Sequence, residues 1–218
     1  AKKINYISYQ EMLEMASVGS KVLQAKAVEY ANNLKIKLHV KSTKKNSEKG
    51  TWVMDEKLIP IKEKNVVTGI THDLKQSKIT IVGIEDKPGV ASKIFQPIGF
   101  AGIVVDMIVQ NISTDGKTDL TFTIPKEDLN KTVKILEKNK SKLAYRKLIK
   151  DEQIALISII GAGMKTHTGI ATRMFKSLSK SKINISMITT SEIKISCVIN
   201  TSKCKSAIKS LHREFNLD

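Results

Sequence analysis

Residues 79–111, ITIVGIEDKPGVASKIFQPIGFAGIVVDMIVQN, recur in outline at residues 154–188. With an offset of 80 positions, GVASKIF at 89–95 lies over GIATRMF at 169–175, and IVVDMI at 103–108 lies over INISMI at 183–188, with no gap. That period is too long for a solenoid repeat and implies a duplicated small domain. In the first copy, dense apolar residues at 79–84 predict a buried strand. Asp86, Pro88 and Gly89 then turn the chain into a helix with Val90, Ile94, Phe95 and Ile98 on one face. A β-branched run at 103–109 predicts a second strand. The second copy repeats the order: strand 154–160, a glycine turn, a helix from 169 through 175, and strand 183–189.

The first copy continues through the polar turn at 113–117, where Asp115 and Gly116 form a hairpin signal, into a strand at 119–124. After Pro125, Leu129, Val133 and Leu136 behind the acidic Glu127 and Asp128 predict a helix over 126–138, and a strand at 143–149 closes the copy. The order strand, helix, strand, strand, helix, strand is the ferredoxin-like split arrangement. The second copy adds a strand at 193–200 and a helix at 201–215 and has no fourth strand after it. Residues 65–72, NVVTGITH, are the best donor for that place. The fold class expected is therefore α+β, with two ferredoxin-like βαββαβ modules, one inserted in the other: module 1 at 75–150 and module 2 at 64–74 with 151–218.

Residues 1–60 lie outside the repeat. Ser8 followed by Glu11, with Met12, Leu13 and Met15 behind them, has the capping-box pattern of a helix start. A second helix is predicted at 20–32, with Val22, Leu23, Ala27, Val28 and Ala31 facing a core. Short strands are predicted at 36–40, 51–54 and 66–70, the first followed by a basic loop at 41–49. This segment carries too little apolar surface to stand alone and reads as the end of a larger domain.

The 218 residues are 41% apolar, enough for a real core, and no stretch reaches the ~20 apolar residues of a membrane helix. No secretory pattern marks residues 1–20, so the chain reads as cytoplasmic with no membrane partner. Cys197 and Cys204 have no metal-site spacing and read as two reduced thiols. A net charge of +16 invites a nucleic-acid reading. The lysines are scattered through every segment, aromatics are few and arginine occurs three times, so nucleic acid is not expected as a partner.

In each copy a glycine-bearing loop leaves a strand and enters a helix, presenting free backbone N–H groups and the positive end of the helix dipole. Such a place suits a small carboxylate, and Asp86 beside it suits an ammonium group, which together describe a free amino acid. The same three residues, Asp86, Pro88 and Gly89, also make an ordinary helix start. Gln110 and Asn111 at the end of one apolar strand, with Asn184, Ser191 and Glu192 at matching places in the other module, favour a ligand if these amides are buried and in need of partners. The four histidines (His39, His72, His167 and His212) are scattered, and no catalytic set, phosphate loop or dinucleotide fingerprint occurs.

The stretches EDKPGVA, IVVDMIVQN, IIGAGMKTHTGIA and MITTSEIKISCVI resemble the paired ACT regulatory modules of the aspartokinase family. ISYQEMLEMASVGSKVLQAKAVEYA and GTWV are similar to the closing part of that family's amino-acid-kinase catalytic domain. The resemblance covers essentially the whole chain, and it implies that residues 1–60 are the remnant of an α/β amino-acid-kinase domain. The family's opening K-F-G-G-T-S stretch and its nucleotide and aspartate motifs would precede residue 1. The chain is therefore expected to be a regulatory portion, inactive alone, of an enzyme that phosphorylates the side-chain carboxylate of aspartate. Carried over, the resemblance implies effector contacts at Asp86, Gly89, Ala91, Gln110 and Asn111 in module 1, and at Asn184, Ile185, Ser191 and Glu192 in module 2. Lys21 would lie near the nucleotide, with ATP and Mg as cofactors of the complete enzyme and none in this chain. L-lysine and L-threonine are the implied effectors, bound where modules of two chains meet, and the implied partners are a second copy in a homodimer and a separate catalytic subunit. Val104 stands where asparagine is common, opposite Asn184, and Thr168 replaces a common proline. The rival expectation is a stand-alone amino-acid-binding ACT regulator of some other partner.

Overall fold

The computed structural model describes residues 2–20, 22–44, 49–111 and 116–218, and divides the chain into two compact units, Ala1–Asp73 with Leu156–Asp218, and Leu74–Ala155. The first unit begins with β1 (Tyr6–Ser8), α1 (Tyr9–Ser17), α2 (Ala25–Asn33), β2 (Leu38–Val40), β3 (Thr51–Met54) and β4 (Gly69–Asp73). β1 and β2 flank β3, the first parallel to it and the second antiparallel. Ser8 and Glu11 form a complete capping box at the start of α1. α1 and α2 bury Met12, Met15, Val28 and Ala31 against Ile7 and Val53, and the cluster is closed by Ile160 from the far end of the chain. The first 60 residues thus share a core with the last 63. α2 starts at Ala25 instead of residue 20, and Val22 and Ala27 are exposed, so the apolar stripe read there is only Val28, Ala31 and a half-buried Leu23.

The second unit holds β5 (Gln76–Glu85), α3 (Val90–Phe100), β6 (Ile108–Gln110), β7 (Lys117–Pro125), α4 (Leu129–Lys138), α5 (Lys140–Leu143) and β8 (Lys147–Asp151). Its sheet has the order β6-β7-β5-β8, and every adjacent pair is antiparallel. Ile79, Ile81, Ile84, Leu120, Phe122 and Ile124 point from the sheet onto Val90, Ile94, Ile98, Leu129 and Leu136 of the helices. Phe122 is wholly buried, edge-on to Phe95, and does not stand on an open sheet face. The β5–β7 register shifts between Ile81 and Ile84, where Gly83 adopts φ +71° and donates its N–H to Asp119 Oδ1 at 2.8 Å. Glycine is suited to such a bulge because it takes positive φ without a Cβ clash.

The remainder of the first unit is β9 (Ile154–Ile160), α6 (Ile170–Lys180), β10 (Ile185–Thr190), β11 (Lys194–Asn200) and α7 (Cys204–Glu214). The sheet order is β10-β11-β9-β4. β4 lies antiparallel to β9 in the place of the absent fourth strand, and the module at residues 76–151 is an insertion between them. The offset of 80 holds in three dimensions: Val90, Ile94, Ile98, Ile103 and Met107 are buried, and so are Ile170, Met174, Leu178, Ile183 and Met187. Each copy also has the same irregularity where its second strand begins to pair. Thr123 exchanges backbone bonds with both Asp106 and Met107, and the β10 register shifts between Ile185 and Met187. That bulge is why the ladder of β6 begins only at Ile108, although β-branched residues start five positions earlier.

Candidate functional site

In both modules the candidate loop opens at the end of the first strand, which is the end of the sheet where the second strand finishes. Lys117 pairs with Glu85 and Leu120 with Gln110, so Asp86, Asn111 and the start of α3 share one end of the first sheet. Gly89, the N-cap of α3, has φ +87°, and Gly169, the N-cap of α6, has φ +81°. No side chain caps either helix, so the first N–H groups of both face the loop uncapped by side chains. Space is open around both glycines. Asp86 is exposed, its backbone N–H held by Gly116 O at 2.9 Å, and Ala91 is exposed in the first turn of α3. The backbone of Asn111 is tied on both sides, its N–H to Asp119 O at 3.2 Å and its carbonyl to the Thr118 hydroxyl.

Gln110, Asn111 and Asn184 are exposed, so the argument from buried amides does not apply to this chain by itself. They sit on or beside β6 and β10, the outer strands of the two sheets, whose free edges leave side chains and backbone groups in water. Ser191 and Glu192 are exposed at the loop end of module 2, with Ser191 N–H bonded to Lys194 O at 2.8 Å. Asn184 and Ile185 lie at the opposite end of β10, roughly 20 Å from Ser191 by strand rise. One module therefore gathers Asp86, Gly89, Ala91, Gln110 and Asn111 at a single end, whereas the other divides its four candidates between two ends. Val104 is exposed, an apolar side chain where the second copy has Asn184. Lys21 and Asp115 lie outside the described residues.

Charge is arranged asymmetrically around the two loops. Lys87 holds the Glu85 carboxyl below its ordinary range through a direct hydrogen bond, and Lys117 and Lys93 reinforce the effect. In module 2, Glu192 pairs with Lys165 at 3.6 Å, a contact with no signal in the sequence because the two residues belong to different loops. His167 Nδ1 lies 2.8 Å from Gly163 O and is part of the loop's own folding. Among the described residues no three or more His, Cys, Asp or Glu side chains gather as a metal site, and no helix is long and apolar enough to cross a membrane.

The family model for the ACT domain matches residues 79–139 and 157–215, the two copies of the repeat. The chain belongs to the ACT-domain family. Aspartokinase of Helicobacter pylori is 46% identical over 221 aligned residues, covering all of this chain and 54% of the relative. The regulatory subunit of aspartate kinase from Thermus thermophilus is 32% identical with a TM-score of 0.66, over 69% of this chain and 99% of that one. Clostridium acetobutylicum aspartate kinase is 27% identical with a TM-score of 0.86, over 98% of this chain and 49% of that one. The ACT pair thus corresponds to the regulatory portion of aspartokinases, and the chain as a whole, the segment before the pair included, aligns with aspartate kinases. The chain spans about half the length of the curated relatives it matches.

Proposed function

We propose that this ACT pair senses a free amino acid, L-lysine or L-threonine, and imposes feedback control on an aspartate kinase, the enzyme that transfers the γ-phosphoryl group of ATP to the side-chain carboxylate of aspartate. The observation that carries the reading is the pair of side-chain-uncapped helix starts behind Gly89 and Gly169, the first at a sheet end with exposed Asp86, Gln110 and Asn111 and the second at one with exposed Ser191 and Glu192. The N–H groups of α3 take the effector carboxylate, and Asp86 takes its ammonium. Gln110, Asn111 and Ala91 border the same end. Glu192 and Ser191 do the corresponding work beside α6. Asn184 and Ile185, remote from the loop of their own module, serve the site of a second chain when the free edges of β6 and β10 join across a two-fold axis. In the complete enzyme ATP is held with Mg, and Lys21 contributes to the nucleotide site.

An effector that binds one arrangement of the paired modules better than another shifts the equilibrium, and occupancy of the kinase site must change effector affinity by the same factor. Calorimetric titration of the purified chain with L-lysine, and separately with L-threonine, tests the reading. Saturable binding is expected, weakened about tenfold or more by Asp86→Ala or Glu192→Ala, because each removes a charged hydrogen-bond partner. Absence of binding by both amino acids refutes it. Sedimentation of the same sample is expected to show a dimer, and a monomer at every concentration refutes the joined edges.

A further inference from the structure

The capping box that starts α1 uses only half of its glutamate. Glu11 Oε2 accepts from Ser8 N at 3.0 Å and from the Ser8 hydroxyl at 2.7 Å, which is the local cap. Oε1 points away from the helix and accepts from the Thr68 hydroxyl at 2.6 Å and from Ala162 N at 2.9 Å. The carboxylate is buried, and all four of its bonds come from neutral donors. Its partners belong to three separate segments: the start of α1, the approach to β4, and the turn that leaves β9 for the glycine loop. These last two segments are pressed together, since a Cβ on Gly161 would lie 2.2 Å from Val66 O.

The neighbours of Glu11 on α1 reach the same part of module 2. Gln10 Oε1 accepts from Lys165 Nζ at 3.3 Å, and Lys165 pairs with Glu192. Glu14 pairs at 2.7 Å with Lys194, at the start of β11. One face of α1 therefore touches both borders of the second effector loop, residues 161–165 and 192–194. The exposed pairs contribute little by themselves, whereas the buried carboxylate with four donors fixes a geometry.

We propose that Glu11 is a positioning residue that couples the effector loop of module 2 to α1, the helix that resembles the end of a kinase domain. This rests on the reading of Ser191 and Glu192 as effector contacts. An effector ammonium at Glu192 competes with Lys165 and orders the 161–170 loop. The Ala162–Glu11–Thr68 bonds transmit that ordering to α1.

The test is amide hydrogen exchange over Tyr9–Ser17, with and without the amino acid that binds in calorimetry, in the wild-type chain and in two variants. Glu11→Gln is the direct change but also weakens the cap and can unfold α1. Thr68→Val keeps the cap and the shape and removes one donor to Oε1. In the wild type the effector is expected to slow α1 exchange about tenfold, within the usual range of coupling between sites. Thr68→Val is expected to keep effector affinity within about threefold while its slowing of α1 falls below about twofold. The ratio with and without effector is the readout, because a merely structural loosening raises both rates together. Full slowing in Thr68→Val, or binding to the wild type with no change in α1, overturns the coupling and leaves the sensor reading standing. Failure of L-lysine and L-threonine to bind the wild type overturns both.

Discussion

Cys197 is wholly buried in β11, and burial pushes its thiol up to about 12, while burial also raises Cys204 at the start of α7. In the unfolded chain a thiol ionises near its ordinary value of about 8.5, so the unfolded state releases protons first as pH rises. Stability from this group is complete below that ordinary value and is lost as pH climbs toward about 12. Urea denaturation at pH 8 and pH 10 is expected to show weaker folding at the higher pH, by up to about 1.4 kcal/mol per pH unit for one such group. Cys197→Ala is expected to reduce that slope, and an unchanged slope sinks the assignment. Single residues are also where the sequence was hardest to read. Gln110, Asn111 and Asn184 are legible as polar groups at strand ends, but their exposure depends on β6 and β10 being edge strands, a property of the sheet order. Glu11 is legible as a cap, and the destination of its second oxygen is not, because Thr68 and Ala162 are 57 and 151 positions away.

Glycines that look alike in the two loops differ in what their elements require. Gly89 has φ +87° and open space around it, so Gly89→Ala meets only the left-handed backbone penalty of about 1–2 kcal/mol. Gly161 has φ 178°, which any residue adopts, but a Cβ there meets Val66 O at 2.2 Å and Val67 Cα at 2.7 Å. Backbone atoms cannot swing aside, so Gly161→Ala is expected to cost about 3 kcal/mol or more, and Gly89→Ala about half of that. Urea denaturation of the two variants decides it, and equal losses contradict the packing of the 65–68 segment on the turn after β9. At this scale the sequence is most informative where periodicity is strong. The apolar run of β9 and the helical faces of α3, α4 and α6 follow from residue spacing alone. It fails where tertiary context overrides the pattern. The run at 103–109 has strand chemistry throughout, yet the bulge at Asp106 and Met107 leaves only Ile108–Gln110 in the ladder. Residues 20–24 continue a helical pattern that α2 does not use, and Val22 is left in solvent.

The duplicated pattern leads the sequence reading to expect one module inside the other, and the strand register describes how β4 and β9 accommodate the residues between them. β4 and β9 are antiparallel, with Asp73 opposite Leu156 at the point where the inserted module leaves and returns. Without the insertion, these strands would be the two arms of a hairpin. The inserted module meets the same condition, because Lys78 on β5 lies opposite Asp151 on β8, so its two ends emerge side by side. Each unit also has its own buried core, including Ile79, Leu120 and Phe122 in one and Val28, Val53 and Ile160 in the other. Replacing residues 74–155 by Asn-Gly should therefore join Asp73 to Leu156 through a two-residue turn whose twist suits the flanking strands. The shortened chain is expected to fold, and Trp52, the only tryptophan, reports on it: the indole stacks on His39 at 3.9 Å in the unit that is kept. A cooperative melt followed by Trp52 fluorescence, with residues 74–155 melting cooperatively as a separate polypeptide, supports two self-sufficient folding units. Loss of cooperative unfolding in the shortened chain, when the separate module still folds, would mean that β4 reaches its place beside β9 only with the inserted module present.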